Sequence, residues 1–230
     1  MRYDKVRSGI FLERLNRFVA LAEIDGKKTT VHVKNTGRCK ELFVPYAKAY
    51  FEESTNSLRK TKYDIIAIEK ETDKGKILIN IDCQVANKVA AEWLREGNIF
   101  SKDCIIETEK IFGASRLDLY VTDGERRAYA EVKSVTLERN GIVKFPDAPT
   151  ERGLKHINEL CHAVDAGYEA YLIFVIQMEG AKCFMPNYDT HAEFGHALRN
   201  AIDHGVNVVA VECHVEGDLI VPKQRVLTSI

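Results

Sequence analysis

The chain has 230 residues, 45% of them hydrophobic and 29% charged, with a formal net charge of −1. Those values belong to an ordinary globular protein of one large or two modest domains, and no apolar run approaches the roughly 20 residues that a membrane span needs. The opening Met1-Arg-Tyr-Asp-Lys-Val-Arg is not followed by the long apolar core of a signal peptide, so the expectation is a cytoplasmic protein with no membrane partner.

Charge is unevenly placed along the chain. Residues 1–80 carry 17 Lys+Arg against 11 Asp+Glu, and the remainder 16 against 23. A basic front suits phosphate, and clustered carboxylates in an acidic back suit a metal ion. Within the front part, apolar residues alternate with others over 18–24, 29–33, 44–51, 63–68 and 77–81, with turns at Asp25-Gly26 and Asp73-Lys-Gly. About five short strands in so short a stretch predict a small β-barrel, and a first domain over 1–82. Between two of the strands lies Asn35-Thr36-Gly37-Arg38-Cys39-Lys40. It reads either as a tight turn with Gly37 at positive φ, or as a phosphate-contacting loop using backbone N–H groups, Arg38 and Lys40.

A second domain over 83–230 opens with a helix at 84–96, where Val85, Val89 and the Trp93/Leu94 pair form an apolar stripe and Gly97 a stop. A strand at 105–112 precedes the stretch that carries the chemistry. Arg116 to Thr122 and Ala128 to Lys133 both alternate, and Asp123-Gly124-Glu125-Arg126-Arg127 between them is a hairpin turn. Glu131 and Lys133 are two apart and share a face. A loop of two or four residues puts Asp118 on that face too, opposite Glu131 or one diagonal step away; a loop of three does not, unless a bulge corrects it. Two carboxylates beside an ammonium are costly as structure alone. They suit Mg²⁺, a hard cation with oxygen ligands that lowers the pKa of bound water and stabilises charge on a phosphoryl oxygen. Asp118, Glu131 and Lys133 are therefore the candidate catalytic residues, with Lys133 orienting or deprotonating the attacking water.

Beyond the hairpin, 134–138 stays extended, 139–141 turns, and Phe145-Pro-Asp-Ala-Pro is a rigid loop. Thr150 is a good N-cap for a helix at 151–166. Arg152, Lys155 and His156 in its first turns are candidate phosphate contacts, as is Arg116 on the hairpin; Asp147 and Glu151 are placed to approach the metal or the basic residues. The apolar run 168–178 reads as a central strand buried on both faces, which implies helices on both sides of the sheet. An amphipathic helix at 191–204 and a last strand at 206–215 follow. The six cysteines contain no Cys-x-x-Cys and the histidines no metal-ligand pairing, which gives no support to a Cys/His zinc site and favours reduced, mostly buried thiols.

The Asp118…Glu131-x-Lys133 hairpin resembles the core of the PD-(D/E)XK nuclease superfamily. The longer text, Ser115-Arg-Leu-Asp-Leu, Ala130-Glu-Val-Lys-Ser-Val-Thr-Leu, Phe145-Pro-Asp-Ala, Thr150-Glu-Arg-Gly and Lys155-His156, resembles the sugar fermentation stimulation protein A family over nearly the whole chain. The resemblance implies an α/β protein: an N-terminal OB-like β-barrel followed by a PD-(D/E)XK nuclease-like mixed-sheet domain. It implies a further metal carboxylate, Glu92, from the helix before the hairpin, and a carbonyl ligand at Val132. It also tilts Asn35-Thr36-Gly37 towards nucleic-acid contact, although Cys39 stands where the family's signature is expected to carry Met. The expected activity is DNA binding with phosphodiester hydrolysis dependent on Mg²⁺, or on Mn²⁺ in its place. The competing reading is a non-catalytic DNA-binding regulator of sugar metabolism genes. A homodimer is left open.

Overall fold

A computed structural model of the chain describes residues 1–35, 37–56 and 58–230. Its first five strands are β1 (Val6–Arg14), β2 (Val19–Ile24), β3 (Lys27–Val33), β4 (Lys48–Glu53) and β5 (Tyr63–Thr72). They pair in the order β3-β2-β1-β4-β5, and a parallel pairing of β3 with β5 closes the ring. The result is a five-stranded OB-like barrel. Its turns follow from the sequence: Asp25 and Gly26 hold positive φ, 51° and 72°, the backbone that a tight two-residue hairpin needs. β6 (Gly75–Asn80) adds to β5 outside the ring.

Two expectations need correction here. β1 was not foreseen, because Val-Arg-Ser-Gly-Ile-Phe-Leu-Glu-Arg lacks strict alternation. Its Gly9 is required by the close approach of the Glu23 carbonyl on β2, which leaves no room for a Cβ. The strand expected over 44–51 starts only at Lys48; Tyr46 before it sits at φ 69°, a left-handed conformation that ends extended structure.

The second half is built on one six-stranded mixed sheet. In chain order come α1 (Ala86–Arg95), β7 (Ile105–Phe112), β8 (Ser115–Asp123), β9 (Arg126–Val135), β10 (Leu137–Arg139), β11 (Ile142–Phe145), α2 (Glu151–Asp165), β12 (Glu169–Ile176), β13 (Cys183–Pro186), α3 (Tyr188–His204), β14 (Asn207–Val215), β15 (Ile220–Arg225) and β16 (Leu227–Thr228). The large sheet has the order β15-β14-β12-β9-β8-β7, and β10, β11, β13 and β16 form a small second sheet. The strand ending at Val215 is therefore not the last one. β12 lies between two parallel neighbours, β9 and β14. Leu172, Phe174 and Ile176 pack with Ile157 and Leu160 of α2 and with Phe194 and Leu198 of α3. Ile173 and Val175 face the other way, onto Val89 and Trp93 of α1. Helices cover both faces, as the unbroken apolar run requires.

The cluster on the α2/α3 face also contains Phe11, Val31, Ile65 and Ile68 of the barrel. The two halves thus share buried apolar surface. Polar bonds cross as well. Gln177, with no exposed surface, donates from Nε2 to Asn80 Oδ1 at 2.7 Å and to the Asp82 carbonyl at 3.0 Å, and Ser134 Oγ bonds to its Oε1. Lys70 of β5 donates to Glu138 Oε2 of β10 at 2.6 Å. Among the described residues, no helix is long and apolar enough to cross a membrane.

Candidate active site in the cleft between barrel and sheet

β8 and β9 are joined by a two-residue loop, with Asp123 opposite Arg126 and Gly124 at φ 60°. The register then runs back to Leu119 opposite Ala130, and the next step places Asp118 against Glu131. Pairing on both flanks is interrupted at Asp118: the β8–β9 ladder stops at Leu119, and the β7–β8 ladder skips Asp118 and its counterpart Glu109, which holds φ 59°. The interruption lets the Asp118 carboxylate replace a ladder bond, and its Oδ2 accepts from the Val132 N–H at 2.8 Å. Its Oδ1 accepts from Asn87 Nδ2, near the start of α1, at 2.9 Å.

Glu131 is 2% exposed. Its Oε1 accepts from Lys133 Nζ and from His156 Nδ1. Its Oε2 is buried and has no hydrogen-bond partner among the described residues. Leaving such an oxygen unpaired costs about 1–3 kcal/mol. The two carboxyls are driven apart electrostatically. Burial, and then the charge of Glu131, push Asp118 above the usual carboxylate range, against the Val132 N–H and Asn87. Burial alone would raise Glu131 too, but the His156 hydrogen bond and the Lys133 charge outweigh it and hold Glu131 low.

These groups floor a cleft of about 700 Å³. The barrel contributes Arg17, Asn35 and Gly37 to its walls, α1 contributes Asn87, and the loop before α2 contributes Asp147 and Thr150. Thr150 does cap α2, accepting the Gly153 N–H at 3.0 Å. The donor set suits a hard divalent cation: two carboxylates, one with an unsatisfied oxygen, and the Val132 backbone beside them. Among the described residues no group of three or more His, Cys, Asp or Glu that could hold a metal ion is found, so a cation here would take carbonyl or water oxygens beyond the two carboxylates.

The other predicted residues divide. Asn35 and Gly37 line the cleft, whereas Arg38 and Lys40 face an adjoining pocket of about 290 Å³ with Arg139 and Lys144. Thr36 lies outside the described residues. Gly37 is not at positive φ; Cys39 is, at 43°. A Cβ on Gly37 would stand 2.5 Å from Asp147 Oδ2, so a larger residue there would have to displace the Asp147 side chain. Arg152 borders the cleft, Lys155 is exposed and donates to the Ala114 carbonyl at 3.2 Å, and Arg116 pairs with Glu109 at 2.8 Å. His156 is buried, 5% exposed, against Glu131, so it cannot serve as a surface phosphate contact. Glu92 does not reach the hairpin carboxylates; its Oε2 takes the Met1 amino group at 2.9 Å. Glu151 is exposed.

Sequence reasoning missed Asn87 and Arg14. The Arg14 guanidinium donates to the carbonyls of Arg17, Asn35, Gly37 and Arg38 at 2.8–3.0 Å, which fixes the loop that forms one cleft wall. An arginine ending a strand just before a turn-rich loop carries no pattern that announces this. Asn87 had a signal of sorts: a polar side chain in the first turn of the helix that enters the sheet.

A model of the SfsA N-terminal OB domain matches residues 12–81, and a model of the sugar fermentation stimulation protein RE domain matches 84–218. A sugar fermentation stimulation protein homolog of Clostridium beijerinckii is 49% identical over 220 residues, covering 96% of each chain. The chain belongs to the sugar fermentation stimulation protein family. Within that family, a homolog of Desulfitobacterium hafniense is 50% identical, covering 96% of this chain and 94% of its own. The solved structure of Pyrococcus furiosus SfsA in complex with Ca²⁺ is 26% identical and superposes with a TM-score of 0.88 over 100% of this chain and 98% of that one. The family match over 84–218 contains Asp118, Glu131, Lys133 and His156.

Proposed function

We propose that this protein binds DNA and hydrolyses phosphodiester bonds in it, using a divalent cation held by Asp118, Glu131 and the Val132 carbonyl. The observation that carries the reading is the buried, unpartnered Oε2 of Glu131 next to a second carboxylate, an arrangement that repels phosphate unless a cation intervenes. The Ca²⁺ complex of the Pyrococcus furiosus relative adds weight to the cation, and the hairpin's likeness to the PD-(D/E)XK core adds weight to the reaction. When bound, Mg²⁺ or Mn²⁺ neutralises charge on the scissile phosphate and acidifies water.

The chain's own residues do the rest. Arg17, Lys144 and Arg152 line the cleft and attract the phosphate backbone. Arg38, Lys40 and Arg139 extend that basic surface over the adjoining pocket. Asn87 and the Val132 N–H hold Asp118 in one orientation. Lys133, 14% exposed at the cleft, turns its ammonium from Glu131 to orient the attacking water, which loses its proton to solvent as the new P–O bond forms and the ester P–O bond breaks. The leaving oxygen takes its proton from solvent.

Lys133→Ala tests the assignment. Misplacing a reacting group costs on the order of 10²-fold, so cleavage in Mg²⁺ should fall by about that factor. DNA affinity in Ca²⁺ should change no more than a few-fold. Equal cleavage by wild type and variant would place the activity elsewhere. Absence of cleavage by wild type on single-stranded, duplex and branched DNA would favour a non-catalytic DNA-binding regulator.

A further inference from the structure

We propose that His156 is a positioning residue: its Nδ1–H holds Glu131 by Oε1, so that Oε2 stays turned to the cation when Lys133 leaves. The inference rests on the reading of Glu131 as a cation ligand and assigns a role to a residue that the sequence had given to phosphate.

The geometry distinguishes the two donors on Glu131 Oε1. Lys133 approaches from the cleft at the end of a long flexible stem. His156 approaches from α2, is 5% exposed, and is held on its far side. Arg152, one turn earlier on the same helix face, donates from Nε to His156 Nε2 at 3.4 Å. An arginine can only donate and a carboxylate can only accept. Those two partners select the tautomer with its proton on Nδ1. The ring is thus clamped between a guanidinium and a carboxylate, while Lys133 has one carboxylate partner and an open side. A residue that must act on water during the reaction cannot also be the fixed support of a ligand. The fold supplies a separate support. Partners behind a ligand are worth 10- to 100-fold in metal affinity when removed.

The test uses the full chain and Ca²⁺ alone, followed by calorimetry. His156→Phe keeps the ring volume and removes the donor, and should weaken Ca²⁺ binding 10- to 100-fold. His156→Asn puts an amide N–H at the Nδ1 position and should restore affinity to within a few-fold of wild type. His156→Gln carries its amide one carbon further and should not. Should the Phe variant fail to fold, the Asn and Gln variants still decide by their difference. Equal affinities in the two would overturn the proposal. Long-range ¹H–¹⁵N correlation spectra without any cation give a second readout. A proton on Nδ1 is expected, and a ring protonated on Nε2 alone would overturn the proposal whatever the calorimetry shows. If Nδ1 carries the proton but wild type binds no Ca²⁺, the support of Glu131 stands and the cation reading falls.

Discussion

Asp118→Asn is expected to make the protein more stable in EDTA and less stable than wild type in saturating Ca²⁺. Burial and the neighbouring Glu131 charge raise the Asp118 carboxyl above its ordinary range. A carboxyl whose folded pKa exceeds its unfolded one costs stability when ionised, and the penalty fades as pH falls through the folded value. Residues facing each other on antiparallel strands hold their Cβ atoms about 5 Å apart. Two charges at about that distance repel by about 3 kcal/mol at an effective dielectric near 20. The Lys133 charge and the His156 hydrogen bond already stabilise the Glu131 carboxylate, and the cleft admits water, so roughly 1–2 kcal/mol remains to be relieved. The carboxamide keeps the shape. Its oxygen can accept the Val132 N–H while the Asn87 amide turns over to offer an acceptor. For a chain of this length the relief corresponds to a melting temperature about 2–8 °C higher. Ca²⁺ at 100 times its Kd would add about 2.7 kcal/mol to wild type, which the variant largely forgoes. Melting curves of both proteins in EDTA and in Ca²⁺ should therefore cross in order. A variant destabilised in EDTA, or one with the full Ca²⁺ shift, would refute the electrostatic account.

Gly37→Ala should cost about 1–3 kcal/mol, because its Cβ meets Asp147 Oδ2 at 2.5 Å; urea denaturation should show much of this recovered when Asp147→Ala is added, and an equal loss in both backgrounds would remove Asp147 from the account. Lys70→Met strands Glu138, 6% exposed, and should cost about 3–5 kcal/mol at neutral pH. Burial pushes Glu138 up, but the Gly141 N–H and Lys70 outweigh it and hold it low; that stability exists above the unfolded pKa and is lost as pH falls through the folded one, so the difference between wild type and variant should shrink below about pH 4. A difference constant from pH 7 to 3 would contradict this. The logarithm of DNA affinity should fall linearly with log salt, and Arg38→Ala and Lys40→Ala should each reduce that slope by about 1; unchanged slopes would put the phosphate path elsewhere.

The hairpin was legible because strand parity is a local rule. Once a two-residue loop is in place, Asp118 faces Glu131 whatever the rest of the chain does. The barrel was legible through its turns, and β12 through its unbroken apolar run. What parity cannot supply is the rotation of a helix about its axis relative to a sheet. Val85, Val89 and Trp93 show which stripe of α1 is buried, but not that Asn87 meets Asp118 while Glu92 turns to the Met1 amino group. The same holds for α2. His156 sits among Arg152 and Lys155 in sequence and looks like a member of a basic face, yet the helix packs so that its ring turns inward onto Glu131 and Lys155 turns out. The corrected reading of Gly37 has a related cause, since the group that crowds a side chain there, Asp147, is 110 residues away.

Gln177 makes the uneven charge of this chain a poor guide to its mechanical division. Parting the barrel from the sheet would break the bonds that Gln177 makes to Asn80 and to the Asp82 carbonyl, and would open the apolar cluster that both halves share. Residues 1–82 alone would expose that seam to water. In the whole molecule the basic loop and the carboxylates keep a fixed separation before anything arrives, so a ligand lying across both loses no binding free energy to docking one half against the other.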